Sequence, residues 1–146
     1  MIAVDTNILV YAHRVDSPFH DRARRRIATL AEGVSLWAIP WPCVHEFLAI
    51  VTHPRIYAPP TPLRQALEQV DAWLESPTVA LLAESAIHWS NLRDLAANGR
   101  IAGPQFHDAR IAALCRQHGV NTLWSADRDF SRFAGFPVEN PLVGVF

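Results

Sequence analysis

Short apolar runs alternate with helical segments along all 146 residues of this chain, and no two runs are joined by a hairpin turn. Strands without tight turns between them must be linked by crossovers, and crossovers make parallel pairs. This pattern predicts an α/β fold: a parallel sheet covered by helices on both faces. Half of the residues are hydrophobic and 18% are charged, enough apolar material for such a core. No internal repeat, low-complexity tract or long linker divides the chain, so residues 1–146 are expected to form a single domain.

The first strand is expected over 2–4, followed by a helix in "NILVYAH". Ser17-Pro18 is a helix start, and that helix runs to Gly33, which is expected in the left-handed stop position. "VSLWAI" is the second strand, and the helix "PCVHEFLAIVTH" after it ends at Pro54. Beyond a proline-rich loop, the helix over 63–75 carries Leu63, Leu67, Val70 and Leu74 at one-face spacing. "TVALLA" is the third strand, followed by a helix over 84–98 and another over 106–118 that ends at Gly119. "VNTLWS" and "FPVEN" supply the last two strands.

All 13 basic residues are arginine, which excludes chemistry that needs a lysine: P-loop nucleotide hydrolysis, Schiff bases and phosphoaspartate switches. The net charge of −1 gives no global basic field. Cys43 and Cys115 form no metal motif and read as buried free thiols of a reducing compartment. Neither a signal-peptide core nor a membrane-length apolar run is present, so the expected location is the cytoplasm.

In an open parallel sheet, ligands bind outside the carboxyl ends of the strands. Asp5 closes the first strand, Glu46 lies one turn into the helix after the second, and Asp127 follows the fourth, with Asp129 two residues on. Asp108 stands in the first turn of its helix, which follows another helix rather than a strand. Singly, each has a plainer explanation: Asp5 caps a helix, Glu46 and Asp108 complement a helix dipole, and Asp127 with Asp129 cap "FSRF". Together, separate segments deliver carboxylates to one edge while the strand interiors carry none. Two carboxylates about 4 Å apart repel by roughly 4 kcal/mol at an effective dielectric near 20. A divalent cation removes that repulsion, and an oxygen-only donor set selects Mg²⁺ or Mn²⁺ over zinc. His107 reads as a neighbour of the site rather than a ligand, and Thr6 and Ser125 as hydroxyls that orient the adjacent carboxylates. A cation held this way suits phosphodiester hydrolysis.

"VDTNILVYA", a Glu early in the helix after strand two, "HDARIAAL" and "SADRDFSRF", in that order, resemble the PIN-domain ribonucleases, and more closely the VapC toxins of bacterial toxin–antitoxin pairs. The resemblance spans nearly the whole chain. It implies a three-layer PIN-like domain with about five parallel strands and an endoribonuclease dependent on Mg²⁺ or Mn²⁺. The family's acids correspond to Asp5, Glu46, Asp108 and Asp127, with Asp5, Asp108 and Asp127 as metal ligands. Asp129 is an auxiliary acid, and Thr6 and Asn7 match the small polar residues after the first Asp. It further implies an RNA substrate (tRNA, rRNA or mRNA), a homodimer, and a VapB-like antitoxin in a hetero-oligomer. A non-catalytic PIN-like module and a metal-dependent DNA nuclease remain as alternatives.

With RNA in view, Arg22, Arg24, Arg25 and Arg26 are either a phosphate-binding patch or a solvated face. Trp37, Trp41, Trp73, Trp89 and Trp124 read mainly as core or interface residues. The leucine face over 63–74 reads as core, or as a groove for a partner segment.

Overall fold

Five strands, β1 (Ile2–Val4), β2 (Trp37–Pro40), β3 (Val79–Leu82), β4 (Thr122–Trp124) and β5 (Val138–Glu139), form one sheet in the order β3-β2-β1-β4-β5. Every pairing is parallel. The computed structural model describes residues 1–144. Six helices connect the strands: α1 (Thr6–His13), α2 (His20–Glu32), α3 (Trp41–Val51), α4 (Leu63–Leu74), α5 (His88–Gly99) and α6 (Gln105–Gln117). The chain moves outward from β1 through β2 to β3, then returns to lay β4 on the other side of β1. Right-handed crossovers therefore put α1 to α4 on one face and α5 with α6 on the other.

Val4 pairs with Trp124, so the next residues, Asp5 and Ser125, leave the sheet side by side where strand order reverses. The backbone N–H of Asp5 still donates to the Trp124 carbonyl (2.9 Å), which fixes this register through Asp5. Trp37, Phe47, Ile8, Leu9, Leu114 and Leu123 are fully buried around the sheet. Each such side chain contributes on the order of 1.5–3 kcal/mol by leaving water. Cys43 and Cys115 are buried and free. Among the described residues, no helix is long and apolar enough to cross a membrane.

Several boundaries differ from the sequence expectation, each for a local reason. α1 starts at Thr6, one residue early, because the Asp5 side chain caps it. Pro18 lies outside α2: Ser17 spends its hydroxyl on the N–H of Phe19, and its carbonyl on that of His20, making a turn first. Gly33 is extended (φ −77°, ψ 179°) rather than left-handed, and its missing side chain matters for closeness: a Cβ there would stand 2.9 Å from the Thr29 carbonyl oxygen. Val34 and Leu36 are exposed, because β2 begins only at Trp37, opposite Ile2. α5 begins at His88, since Glu84 is turned toward Arg110, and it runs through Gly99 to a left-handed Arg100 (φ 50°). Gly119 takes the expected positive φ (66°) after α6.

α4 turns a different face inward from the one its leucines mark. Ala66, Val70 and Trp73 are buried, while Leu63 and Leu67 are 65% and 46% exposed. Trp73 packs edge-on against Phe47 (centroids 4.8 Å, 65°), and this larger aromatic contact sets the rotation of the helix. Trp37 and Trp124 are also buried; Trp41 and Trp89 are exposed.

Candidate active site

Asp5 sits at the mouth of the sheet and caps α1 at the same time, so the two explanations of this residue coincide. Its Oδ1 accepts the Thr6 N–H (2.8 Å), and its Oδ2 accepts the Ser125 hydroxyl (2.7 Å) and the Asn7 amide (3.4 Å). The Cys43 thiol approaches Oδ1 at 3.6 Å. Burial raises the pKa of Asp5 from 3.8 to about 6, against the lowering effect of the Ser125 and Thr6 hydrogen bonds; nearby Glu46 adds to the rise.

Asn7 ties β1 to β4. Its Nδ2 also donates to Ser125 Oγ (3.2 Å), and its Oδ1 accepts the backbone N–H of Ala126 (3.1 Å). Ser125 Oγ in turn accepts the N–H of Asp127 (3.0 Å). Asp127 caps a short 3₁₀ helix, Arg128–Arg132, through the N–H of Asp129 (2.8 Å). Thr6 donates its hydroxyl to Glu46 Oε2 (3.2 Å), linking α1 to α3.

Asp108, half-buried at the start of α6, accepts no hydrogen bond among the described residues. Its pKa is raised to about 6, first by burial, then by the charges of Asp127, Asp5, Asp129 and Glu46. Every acid singled out by the sequence therefore acts on this one carboxyl group. Oxygens of Asp108, Asp127 and Asp129 lie within 4.8 Å of one another, with no His or Cys in the group. Asp5 stands outside that tightest trio, while Asp129, an auxiliary in the sequence reading, lies inside it. No arginine among the described residues pairs with these acids; the ion pairs Arg14–Asp16, Arg64–Glu68, Arg110–Glu84 and Arg116–Asp94 lie elsewhere. The donor set is oxygen-only and negatively charged, which fits a hard divalent cation.

Two cavities flank the acids. One of about 410 Å³ adjoins Glu46 and includes His107, and one of about 560 Å³ adjoins Ser125 and Asp127. The basic patch on α2 has another task. Arg22 Nη1 donates to the Leu142 carbonyl (2.6 Å) and Arg26 Nε to that of Pro141 (3.2 Å), with the Arg26 guanidinium over Trp124 (5.4 Å). These two side chains bind the chain's own C-terminal segment, so the patch is neither a simple solvated face nor four available phosphate contacts. Cys43 was legible only as a core thiol. Its place three residues before Glu46 on α3 is the signal that it shares that residue's face toward Asp5.

A PIN domain family model matches residues 2–136. Ribonuclease VapC48 of Mycobacterium tuberculosis is 34% identical over 140 residues, covering 96% of this chain and 97% of the relative. Ribonuclease VapC43 of the same species is 35% identical over 144 residues, covering 99% and 97%. The crystal structure of VapBC2 from Rickettsia felis, bound to a DNA fragment from their promoter, superposes with a TM-score of 0.71 at 22% identity, covering 96% of this chain and 98% of that one. The matched family, the similarity over nearly full length and the wholly parallel sheet agree: this chain belongs to the PIN-domain family, among its VapC members.

Proposed function

We propose that this protein is the toxin of a type II toxin–antitoxin pair, an endoribonuclease that hydrolyses RNA phosphodiester bonds with Mg²⁺, for which Mn²⁺ substitutes. Relatives named ribonucleases over nearly the whole chain support the reaction class. The observation that carries the chemistry is the Asp108, Asp127 and Asp129 group, with oxygens within 4.8 Å and no basic partner among the described residues. PIN-domain nucleases are in general dependent on a divalent metal, and this group has the donors for one.

Asp5, Asp108 and Asp127 are the residues to hold the ion, with Asp129 as an auxiliary. A divalent ion there supplies an acidified water and a positive field on the phosphate oxygens. The protein supplies the geometry. Ser125, Asn7 and the Thr6 N–H fix both oxygens of Asp5, and Ser125 also fixes the backbone that carries Asp127. Glu46, exposed and steadied by the Thr6 hydroxyl, is the group to orient the attacking water and accept its proton. Attack at phosphorus leaves a 5′-phosphate and a 3′-hydroxyl.

The same reading gives a single domain over 1–146, a cytoplasmic location, a homodimer, and a cognate VapB-like antitoxin in a hetero-oligomer. One experiment tests the function. Purified protein is given RNA and DNA with Mg²⁺, with EDTA, and beside Asp127→Asn. RNA cleavage that disappears with EDTA and in the variant is expected. DNA cleavage alone favours a DNA nuclease, no cleavage favours a non-catalytic module, and cleavage unchanged in the variant removes Asp127 from the mechanism. Co-expression with the neighbouring reading frame tests the antitoxin, expected as a co-purifying peptide that suppresses cleavage.

A further inference from the structure

The cavity of about 410 Å³ beside Glu46 has the size of a small-ligand site. Part of its lining is apolar, from Pro42, Ala49 and Ile111; the rest is polar, with hydrogen-bond donors from His45, His107 and Arg110 beside the Glu46 carboxylate. His45 and His107 each stand one residue before an acid of the site, Glu46 and Asp108, so the helices that deliver the acids deliver the imidazoles beside them. Neither imidazole hydrogen-bonds to a described residue. Arg110 is braced: Glu84 Oε1 takes its Nε and its Nη2, each at 2.7 Å, and Nη1 has no partner among the described residues. The His45 ring rests near Trp41, with centroids 6.2 Å apart.

A phosphate would leave the apolar lining idle and meet the negative charge of Glu46. A flat ring with acceptors along one edge uses both parts of the wall. We infer that this cavity is the subsite for an unpaired RNA base next to the scissile phosphodiester, and that Arg110 with His107 selects guanine there. Guanine presents O6 and N7, two adjacent acceptors that match the open edge of a guanidinium. Adenine sets an amino donor against the same donors, and uracil separates its two carbonyl acceptors with N3–H; cytosine, whose N3 and O2 are adjacent acceptors on a smaller ring, is the competitor that the experiment sets against guanine. The inference rests on the nuclease reading and adds to it the base that is read.

The test uses short single-stranded oligoribonucleotides with one cleavage point, varied one base at a time on either side. Guanine at one flanking position is expected to raise kcat/KM about tenfold over adenine, within the range of one bidentate base contact. Arg110→Lys keeps the charge and the Glu84 partner but loses the fork. It is expected to bring that ratio within about twofold of unity, chiefly by lowering kcat/KM for the guanine substrate. His107→Ala, at an exposed position, is expected to lower the ratio in part. Binding of the same oligonucleotides to Asp127→Asn, with and without Arg110→Lys, provides a readout independent of turnover. If the wild-type protein cuts neither these nor longer structured RNA, the nuclease reading fails, and the binding series still decides the subsite. Equal handling of all four bases, or an unchanged ratio in Arg110→Lys and His107→Ala, overturns it.

Discussion

At the ends of β1 and β4, the Asp5 carboxylate takes hydrogen bonds from Thr6, Ser125 and Asn7; at the start of α6, the Asp108 carboxylate takes none. Both have a pKa raised to about 6, yet by different balances. For Asp5, burial outweighs hydrogen bonds that favour the charge. For Asp108, burial adds to four neighbouring negative charges, and no hydrogen bond from a described residue opposes them. One wall of the site is an anchored frame, defined without any ion. The other is an unrelieved repulsion that a cation would relieve. The contrast shows how a stable fold can hold a site that is electrostatically incomplete.

Asp108→Asn breaks the open wall and has the largest expected effect. Activity should fall by about 10²–10⁴-fold, the range for loss of a charged catalytic group. In EDTA the same change removes a repelled charge, and solvent screening keeps the gain small. A Tm higher by about 2–4 °C is expected in cation-free buffer. A destabilised Asp108→Asn protein would show that the carboxylate is structural and that the two walls are alike.

The pH response sharpens the comparison next. Folded Asp5 titrates at about 6, above its ordinary 3.8, so the folded state binds the extra proton between those values. The stability that Asp5 contributes in cation-free buffer is therefore full below pH 4 and falls as pH rises toward 6. For this buried group the loss is about 3 kcal/mol, from a shift of roughly two units. Under the proposed function, cation binding runs the other way, because it would need the ionised forms of Asp5 and Asp108. Activity should drop by about ten- to a hundredfold between pH 7 and pH 5, as one or both carboxyls protonate. Denaturant melts in EDTA and in saturating Mg²⁺ check both signs: Mg²⁺ should stabilise more at pH 7 than at pH 5.

Much of this division was legible in the sequence, and the parts that were not share a cause. The gathering of Asp5, Glu46, Asp108 and Asp127 at one edge of the sheet was readable because each stands just past a strand or at a helix start, positions that local pattern reveals. The alternation of elements likewise gave the parallel sheet. Val34 and Leu36 look as strand-like as Trp37, but they lie beyond the register set by Ile2. The leucines of α4 look like its core face, yet Trp73 on Phe47 decides which side is buried. Arg22 and Arg26 look like a phosphate patch until the carbonyls of residues 141 and 142 arrive against them. In each case the deciding partner is remote along the chain, where composition and periodicity carry no signal. The Asn7–Ser125 link is of the same kind: both residues were noted for position, but their mutual bond spans 118 positions.

Ser125→Ala tests the anchored wall. Its Oγ serves Asp5, Asn7 and the Asp127 N–H, so truncation leaves buried polar groups unanswered. A loss of about 1–3 kcal/mol in stability is expected from that, with or without Mg²⁺. Activity should fall about tenfold, the usual scale for a group that orients a metal ligand. This is the reverse of Asp108→Asn, where activity falls far and cation-free stability does not.

Thr6 stands where the two walls meet, and its substitution should have the smallest effect. The backbone N–H of Thr6 belongs to the anchored wall, through Asp5 Oδ1; its hydroxyl reaches Glu46, which is exposed. Thr6→Val keeps the backbone donor, the branched shape and the start of α1, and removes the hydroxyl that reaches Glu46 at 3.2 Å and also meets the Cys43 thiol. Because Glu46 is solvated, water takes over part of what the hydroxyl did, so stability should shift by less than about 1 kcal/mol. Glu46 is also less confined, and in its proposed role as base it would hold the attacking water in place for a smaller share of the time. A two- to fivefold fall in kcat with KM nearly unchanged is therefore expected, in the lower part of what misplacing a positioned group costs. A change in KM instead would place Glu46 in substrate binding rather than in activation of water, and would move it from the chemistry of the site to its rim.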